Sequence, residues 1–259
     1  MTRARLAIIA ALCAGLGIAS CGGSEEPRPV DPEALLDSAF SQPVSSAVTR
    51  IDFVAGAEAV PSLSVPVSLS LEGPYVSGGG GRIPSADWKL EAEVAGFGVD
   101  GELVSTGDNV YLSVFGDNYQ LGRAAVAARR EALSDPGLDP RSWFGPATYE
   151  GDEEVEGTAT ARIDAPLRGA RLAADLEGLG GRLGLPPVRP PIERGTIQAW
   201  IGIDDGLVRE LRIDAGEDLA ADVVLSEVGE PQEITIPAGG GFKPIGNLLS
   251  SLQELGVSP

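Results

Sequence analysis

Residues 87–103, with the sequence DWKLEAEVAGFGVDGEL, decide the fold. Every second residue from Trp88 to Val94 is apolar, and the residues between them are charged. A period of two places neighbouring side chains on opposite faces, so this pattern predicts a half-buried strand. Glycines at 96 and 98 then mark a turn, and Val99 and Leu103 resume the alternation. The stretch therefore predicts an antiparallel hairpin with one apolar face and one wet face.

The same period extends outward from this hairpin. Alternating runs occupy residues 51–55, 65–71 and 110–115, with glycine-rich turns between them. Further strands are predicted after a helical interruption, and the tight turn Asp-Asp-Gly at 204–206 joins two of them. These later strands cover residues 147–153, 157–165, 195–203, 207–214 and 219–228. The pattern predicts an α+β fold that is dominated by an antiparallel meander.

Helical spacing of apolar residues appears in a few short segments. The first opens with a proline in its first turn and acidic residues at its positive end, both of which favour a helix start. The Pro/Gly-rich stretch 180–194 is predicted to be a loop within one domain, because strands on both sides share one pattern. The predicted helices are residues 32–40, 123–133, 167–179 and 245–255.

The N-terminus has the order of a secretory signal. Arg3 and Arg5 precede an apolar run that is too short to span a bilayer, and Ile18-Ala19-Ser20-Cys21 follows. This end resembles a lipobox, whose cysteine receives diacylglycerol before cleavage. The alternative is an ordinary signal peptide with a chance cysteine. We expect a signal peptide at 1–20, a lipidated tether at 21–31 and one domain at 32–259, anchored on the extracytoplasmic face of the cell membrane.

The charge of the chain limits its partners. The whole sequence carries 19 basic and 38 acidic residues, and loss of the signal removes Arg3 and Arg5, which leaves a net charge of −21. Such a charge argues against nucleic acid and against electrostatic docking on anionic lipid. Membrane contact is therefore expected from the acyl anchor. Cys13 would be lost with the signal, so no disulfide is predicted.

Several kinds of chemistry have no residues to perform them. The sequence contains no histidine, which removes Ser-His-Asp and Cys-His catalysis and the usual zinc and copper ligands. The Gly-x-Gly-x-x-Gly match at Gly96, Gly98 and Gly101 lies between two strands, so it indicates a hairpin rather than a dinucleotide site. The acidic stretch 150–156 lacks the spacing of a calcium loop and is predicted to be a solvated turn. Composition leaves open a glycosidase-type carboxylate pair. No metal and no cofactor is expected.

The predicted apolar face is built mainly from aliphatic residues. Aromatic residues are only 5% of the chain, which argues against a stacking platform for sugars or bases. Small and aliphatic side chains can leave a dry space that suits acyl chains, and the alternative is a plain core. The residues predicted to line such a space are Val67, Leu69, Leu71, Leu90, Ala92, Val94 and Leu103.

Four phrases in order, behind the lipobox, resemble the LppX/LprAFG lipoproteins of actinobacteria, relatives of the LolA/LolB carriers. They are VSTGDNVYL at 104–112, the hairpin at 149–164 with EVEGTAT, the hairpin at 197–211 with IQAWI and LVREL, and GEPQEITIP at 229–237. The resemblance implies a curved antiparallel half-barrel with helices on its concave face, around a cavity for acyl chains. A proline-rich link at 185–191 departs from the family pattern.

The resemblance also implies a function. Members of that family bind lipids or lipidated glycans and help move them to the outer layers of the envelope, so a membrane exporter is an expected partner. We therefore predict a lipid or glycolipid carrier that is not an enzyme. One alternative is an accessory lipoprotein with a filled core that acts through protein contacts, and another is an acid–base hydrolase that uses carboxylates.

Overall fold

Strands account for most of the ordered chain. The computed structural model describes residues 30–57, 65–79, 82–94, 96–183, 192, 194–216, 219–237 and 241–247. The predicted signal peptide, Cys21 and the link at 185–191 lie outside these residues. The described strands are β1 (Ser46–Ala55), β2 (Val67–Val76), β3 (Ser85–Val94), β4 (Phe97–Thr106), β5 (Val110–Val114), β6 (Asp117–Gln120), β7 (Thr148–Val155), β8 (Thr158–Pro166), β9 (Thr196–Gly202), β10 (Val208–Asp214), β11 (Leu219–Ser226) and β12 (Lys243–Pro244).

All twelve of these strands belong to one sheet. Their order across it is β12-β6-β5-β4-β3-β2-β1-β11-β10-β9-β8-β7. Neighbours are antiparallel except for β12 and β6, which run parallel. The sheet is curved and unclosed. The predicted fold class, an open antiparallel sheet with few helices, is confirmed, and so is the hairpin at the three spaced glycines, which joins β3 to β4.

The pairing register defines two faces. Phe53 pairs with Leu69 and with Ala221, and Leu69 pairs with Ala92, so these four side chains lie on one face, which we call the inner face. Residues between them in sequence, such as Asp52, lie on the opposite or outer face. The alternation seen in the sequence is thus continuous across strand boundaries.

Helices cover one part of the inner face. Leu36 and Ala39 of the first helix, Phe144, and Leu172 of the last helix pack with Ile163 of β8 in a core over β8 to β11. Leu36, Phe144 and Ile163 have no exposed surface. None of the described helices is long and apolar enough to cross a membrane. The helices are α1 (Pro32–Ser41), α2 (Arg123–Ala128), α3 (Arg130–Ser134), a 3-10 helix (Pro140–Trp143) and α4 (Gly169–Leu183).

Three local predictions were wrong. The helix expected over 123–133 is two short helices that break at Arg129, whose backbone leaves the helical region (φ −116°, ψ 12°). The sequence prediction missed β6, because its Asp-Asn-Tyr-Gln sequence is poor in strand-forming residues. The helix expected at 167–179 begins later, at Gly169, and continues to Leu183. Of the helix expected at 245–255, residues 245–247 are helical and the remainder lies outside the described residues.

After β11 the chain crosses the outer face. The amide of Thr235 donates to Asp87 Oδ2 of β3 (3.3 Å), and the Phe242 ring lies 5.0 Å from the Tyr111 ring of β5. Lys243 then pairs with Asp117 at 2.8 Å, where β12 joins β6. This crossing segment, residues 231–242, leaves the inner face of β2 to β5 free of its contacts.

Candidate functional site

The seven residues predicted to line an apolar space all lie on the inner face. Val67 pairs with Val94, and Leu69 pairs with Ala92. Leu71 pairs with Leu90 in the same way, and Leu103 of β4 pairs with Trp88 of β3. The seven side chains therefore form one continuous patch across β2, β3 and β4, which we call the apolar patch.

Burial separates the apolar patch from the helix-covered core. Leu71 is buried, with 8% of its surface exposed, and the other six patch residues are only half-buried. Ile163, Ile197 and Ile201 on the inner face of β8 and β9 have no exposed surface at all. Helices thus fill the space in front of β8 and β9 and leave the apolar patch partly open.

Charge is absent from the patch and its surroundings. All inner-face positions of β2, β3 and β4, which the structure describes completely, hold uncharged side chains. The charged residues of these strands, such as Glu72, Lys89 and Glu102, occupy the outer face. An apolar molecule on the inner face would therefore meet no ionised group that had to be desolvated.

Trp88 marks the lower end of the patch, the end at which β3 begins. Its indole Nε1 donates to Thr49 Oγ1 (2.8 Å), and that hydroxyl donates to the carbonyl of Gly73 (3.1 Å). The indole thus spans β2 from β3 to β1, and a Cβ at Gly73 would overlap the backbone oxygen of Asp87. Burial raises the pKa of the neighbouring Tyr75 hydroxyl, which therefore stays neutral.

A small second cluster borders the patch on the other side. Val114 and Tyr119 are buried, and Val99 and Leu112 pack against them. Sequence reasoning omitted these residues and Trp88 from the candidate site, although Trp88, Val99 and Leu112 follow the same alternation. The signal was present, and the restriction to three strands excluded part of it.

The outer face carries the charged chemistry. Trp200 lies there with the guanidinium groups of Arg162 and Arg212 at 5.5 Å and 5.1 Å from its ring, and its Nε1 donates to Glu153 Oε2 (2.7 Å). The hydrogen bonds from Trp200 and then from Arg162 lower the pKa of Glu153. These contacts form a paired network, and in it Arg212 also bonds Glu210 at 2.5 Å. The network stabilises the outer face without offering an unpaired base.

A depression of about 380 Å³ also opens on the outer face of β1 to β4. Its outer-face lining is polar, with Asp52, Glu91, Glu93 and Asp100 beside serines 68 and 70. Among the described residues, no group of three or more Cys, Asp or Glu side chains is arranged to hold a metal ion. The depression is therefore a polar concavity on the face opposite the apolar patch.

Comparisons with known proteins place the fold. No protein-family model matches the sequence, and no curated protein matches it. Among solved structures, LprF from Mycobacterium bovis aligns over 80% of this chain and 97% of its own, at 17% identity and a TM-score of 0.58. The Mycobacterium tuberculosis lipoprotein LppX aligns over 79% of this chain and 98% of its own, at 14% identity and a TM-score of 0.45. The predicted resemblance to the LppX/LprAFG lipoproteins is confirmed, and LprF shows that this chain has their fold.

Proposed function

We propose that this chain is a cell-envelope lipoprotein that binds lipid or acylated glycolipid on the apolar patch and carries it across or within the envelope. The observation that carries the proposal is an uncharged, half-exposed apolar surface on a sheet whose other part has a filled core. Cys21 is the proposed lipidation site, and its acyl anchor would hold the domain 32–259 on the extracytoplasmic face of the membrane. A membrane exporter is the proposed transport partner.

The patch suits acyl chains on physical grounds. Each CH₂ group removed from water contributes about 0.8 kcal/mol, so a ligand chain needs no charged contact to bind. The six half-buried patch residues offer apolar surface for this purpose. Tyr75, which stays neutral at the lower end, would place a hydrogen-bonding group near one end of the ligand. The polar head of the ligand would then lie at the open rim.

Acyl chains in the purified protein test the proposal directly. Native mass spectrometry and lipid extraction of the non-acylated chain should detect co-purifying lipid. Leu69→Trp and Ala92→Phe put bulk onto the inner face, and we expect each to lower the lipid content with a small loss of stability. Ser70→Trp is the matched control, because Ser70 is the next residue of the same strand and faces outward.

The accessory alternative makes the opposite prediction. In a filled core the same two substitutions would overpack the inner face and cost about 1–3 kcal/mol of stability. If both variants lose that much while the wild-type chain never carries lipid, the carrier proposal fails. The protein would then act through contacts with other proteins.

A further inference from the structure

Two phenylalanines stand exposed at adjacent hairpin tips. Phe97 begins β4, directly after the β3–β4 turn, and has 77% of its surface exposed. Phe115 forms the β5–β6 turn and has 62% exposed. Both tips lie at the upper end of the sheet, which we define as the end where β1 stops at Ala55 and β2 starts at Val67. We call Phe97 and Phe115 the tip phenylalanines.

Phe115 occupies a position that phenylalanine disfavours. Its φ is 54° and that of Gly116 is 77°, so both central residues of this two-residue turn are left-handed. Such turns favour Asn-Gly, because a bulky side chain is strained at positive φ. The chain therefore keeps an exposed ring at a site where neither burial nor backbone preference favours it.

The tips are free of charge and continue the apolar patch. Phe97 pairs with Val94, a patch residue, so the uncharged inner face extends without interruption to the β3–β4 tip. At the other tip, Asp117 is neutralised by its ion pair with Lys243 (2.8 Å). A ligand chain entering at Phe97 would meet only apolar side chains on its way to Leu69.

The anchored end of the domain lies at the same end of the sheet. Glu33, in the first turn of α1, accepts a hydrogen bond from the amide of Ala147 (3.0 Å), the residue before β7 begins at the upper end. Residues 21–31 join α1 at its cap, Asp31. Eleven residues span at most about 40 Å, so the proposed anchor holds the upper end within that distance of the bilayer.

We infer that the upper end contacts the bilayer surface, with the tip phenylalanines entering the acyl region and Phe97 reaching deeper. Gly101 pairs with Val114, so Phe97 projects four residues beyond that level, about 13 Å at ~3.3 Å per residue. Because the anchor already supplies a high effective concentration, two rings suffice for a useful contact. The net charge of −19 selects a zwitterionic rather than an anionic surface.

This contact deepens the proposed function, on which its role in lipid loading rests, and it is tested separately. The chain from residue 21 onward is coupled through Cys21, its one cysteine, to a maleimide lipid in phosphatidylcholine vesicles with brominated acyl chains. Quenching is measured in Phe97→Trp, Phe115→Trp and Ile236→Trp against the wild-type background. Ile236 is the matched control, because it is 59% exposed but lines a depression at the lower end with Val76.

We expect strong quenching at position 97, weaker quenching at 115 and none at 236. In the uncoupled chain, Phe97→Ser should lower the vesicle partition coefficient about tenfold, whereas Ile236→Ser leaves it unchanged. Phe115→Asn, which suits its turn, should weaken partition without unfolding the hairpin. Equal quenching at all three positions, or none at 97 and 115, would overturn the inference, and so would stronger binding to anionic vesicles.

Acyl content, measured by native mass spectrometry on the same preparation, separates the two proposals. A chain that carries lipid but is not quenched at either tip refutes the bilayer contact and keeps the carrier. A chain that is quenched at Phe97 but never carries lipid keeps the contact and refutes the carrier.

Discussion

The sheet has two halves that share one alternating pattern and differ in what covers them. In the covered half, β7 to β11, inner-face residues such as Ile163 and Ile197 are completely buried under α1, the 3-10 helix and α4. In the open half, β2 to β6, equivalent positions such as Leu69 and Leu90 are half-buried. Strand alternation therefore decides which side chains face inward, and the helices decide which of them become core.

The difference matters because apolar surface that is left half-exposed costs stability unless something else covers it. Burial contributes about 25 cal/mol per Å², so the open half forgoes part of the stabilisation that the covered half obtains. An extended uncharged face on one part of a monomer is typical of a binding surface. The covered half supports the fold, and the open half is available for a ligand.

The largest predicted effect compares one side chain from each half. Ile163→Ala removes a side chain with no exposed surface, so we expect a loss of about 2–5 kcal/mol in the free energy of unfolding. Leu90→Ala, on the inner face of the open half, should cost roughly 1 kcal/mol, because water or ligand already occupies part of its surroundings. Guanidinium unfolding of both variants measures the contrast. Equal losses would show that the open half is filled like the covered half.

The second prediction concerns the close approach of β2 and β3. Gly73 has φ 150°, and a Cβ there would overlap the backbone oxygen of Asp87, which cannot move without breaking the strand pairing. Gly73→Ala should therefore cost about 1–3 kcal/mol and disturb the Trp88–Thr49 hydrogen bond.

Gly98→Ala is the control for that change. Gly98 lies in β4, and a Cβ there meets open space, so its stability should change by less than about 0.5 kcal/mol. Tryptophan fluorescence and urea midpoints report both variants. A neutral Gly73→Ala would show that β2 and β3 can separate, and that the lower end of the open half is adaptable.

Much of this comparison was predictable from the sequence. The alternation from Trp88 to Val94 predicted the faces, because side-chain direction in a strand depends only on local geometry. The strand β6 was not predicted, since Asp117 and Asn118 disfavour strands and form one here only through pairing with β5. The break at Arg129 likewise has no glycine or proline to mark it.

The position of the helices was beyond local reasoning. Helices 123–133 and 167–179 were expected in front of β2 to β4. In the structure, α4 is instead fixed to the 3-10 helix by the hydrogen bond from Trp143 Nε1 to Asp175 (2.8 Å), and its Leu172 belongs to the core over β8 to β11. That contact joins residues 32 positions apart, so no window of sequence displays it. The open half follows from it.

The smallest predicted effect lies on the outer face of the open half. Burial, and then the nearby charge and hydrogen bond of Asp87, raise the pKa of Glu102 above its ordinary value. The folded state therefore binds a proton more tightly than the unfolded chain, and this carboxyl lowers stability progressively as the pH rises from the ordinary glutamate pKa through the raised one. Glu102→Gln should slightly raise the urea midpoint at pH 7 and leave it nearly unchanged at pH 4. Lys89 pairs with Glu102 across β3 and β4 and opposes this effect, so a lower midpoint at pH 7 would show that attraction to Lys89 outweighs burial.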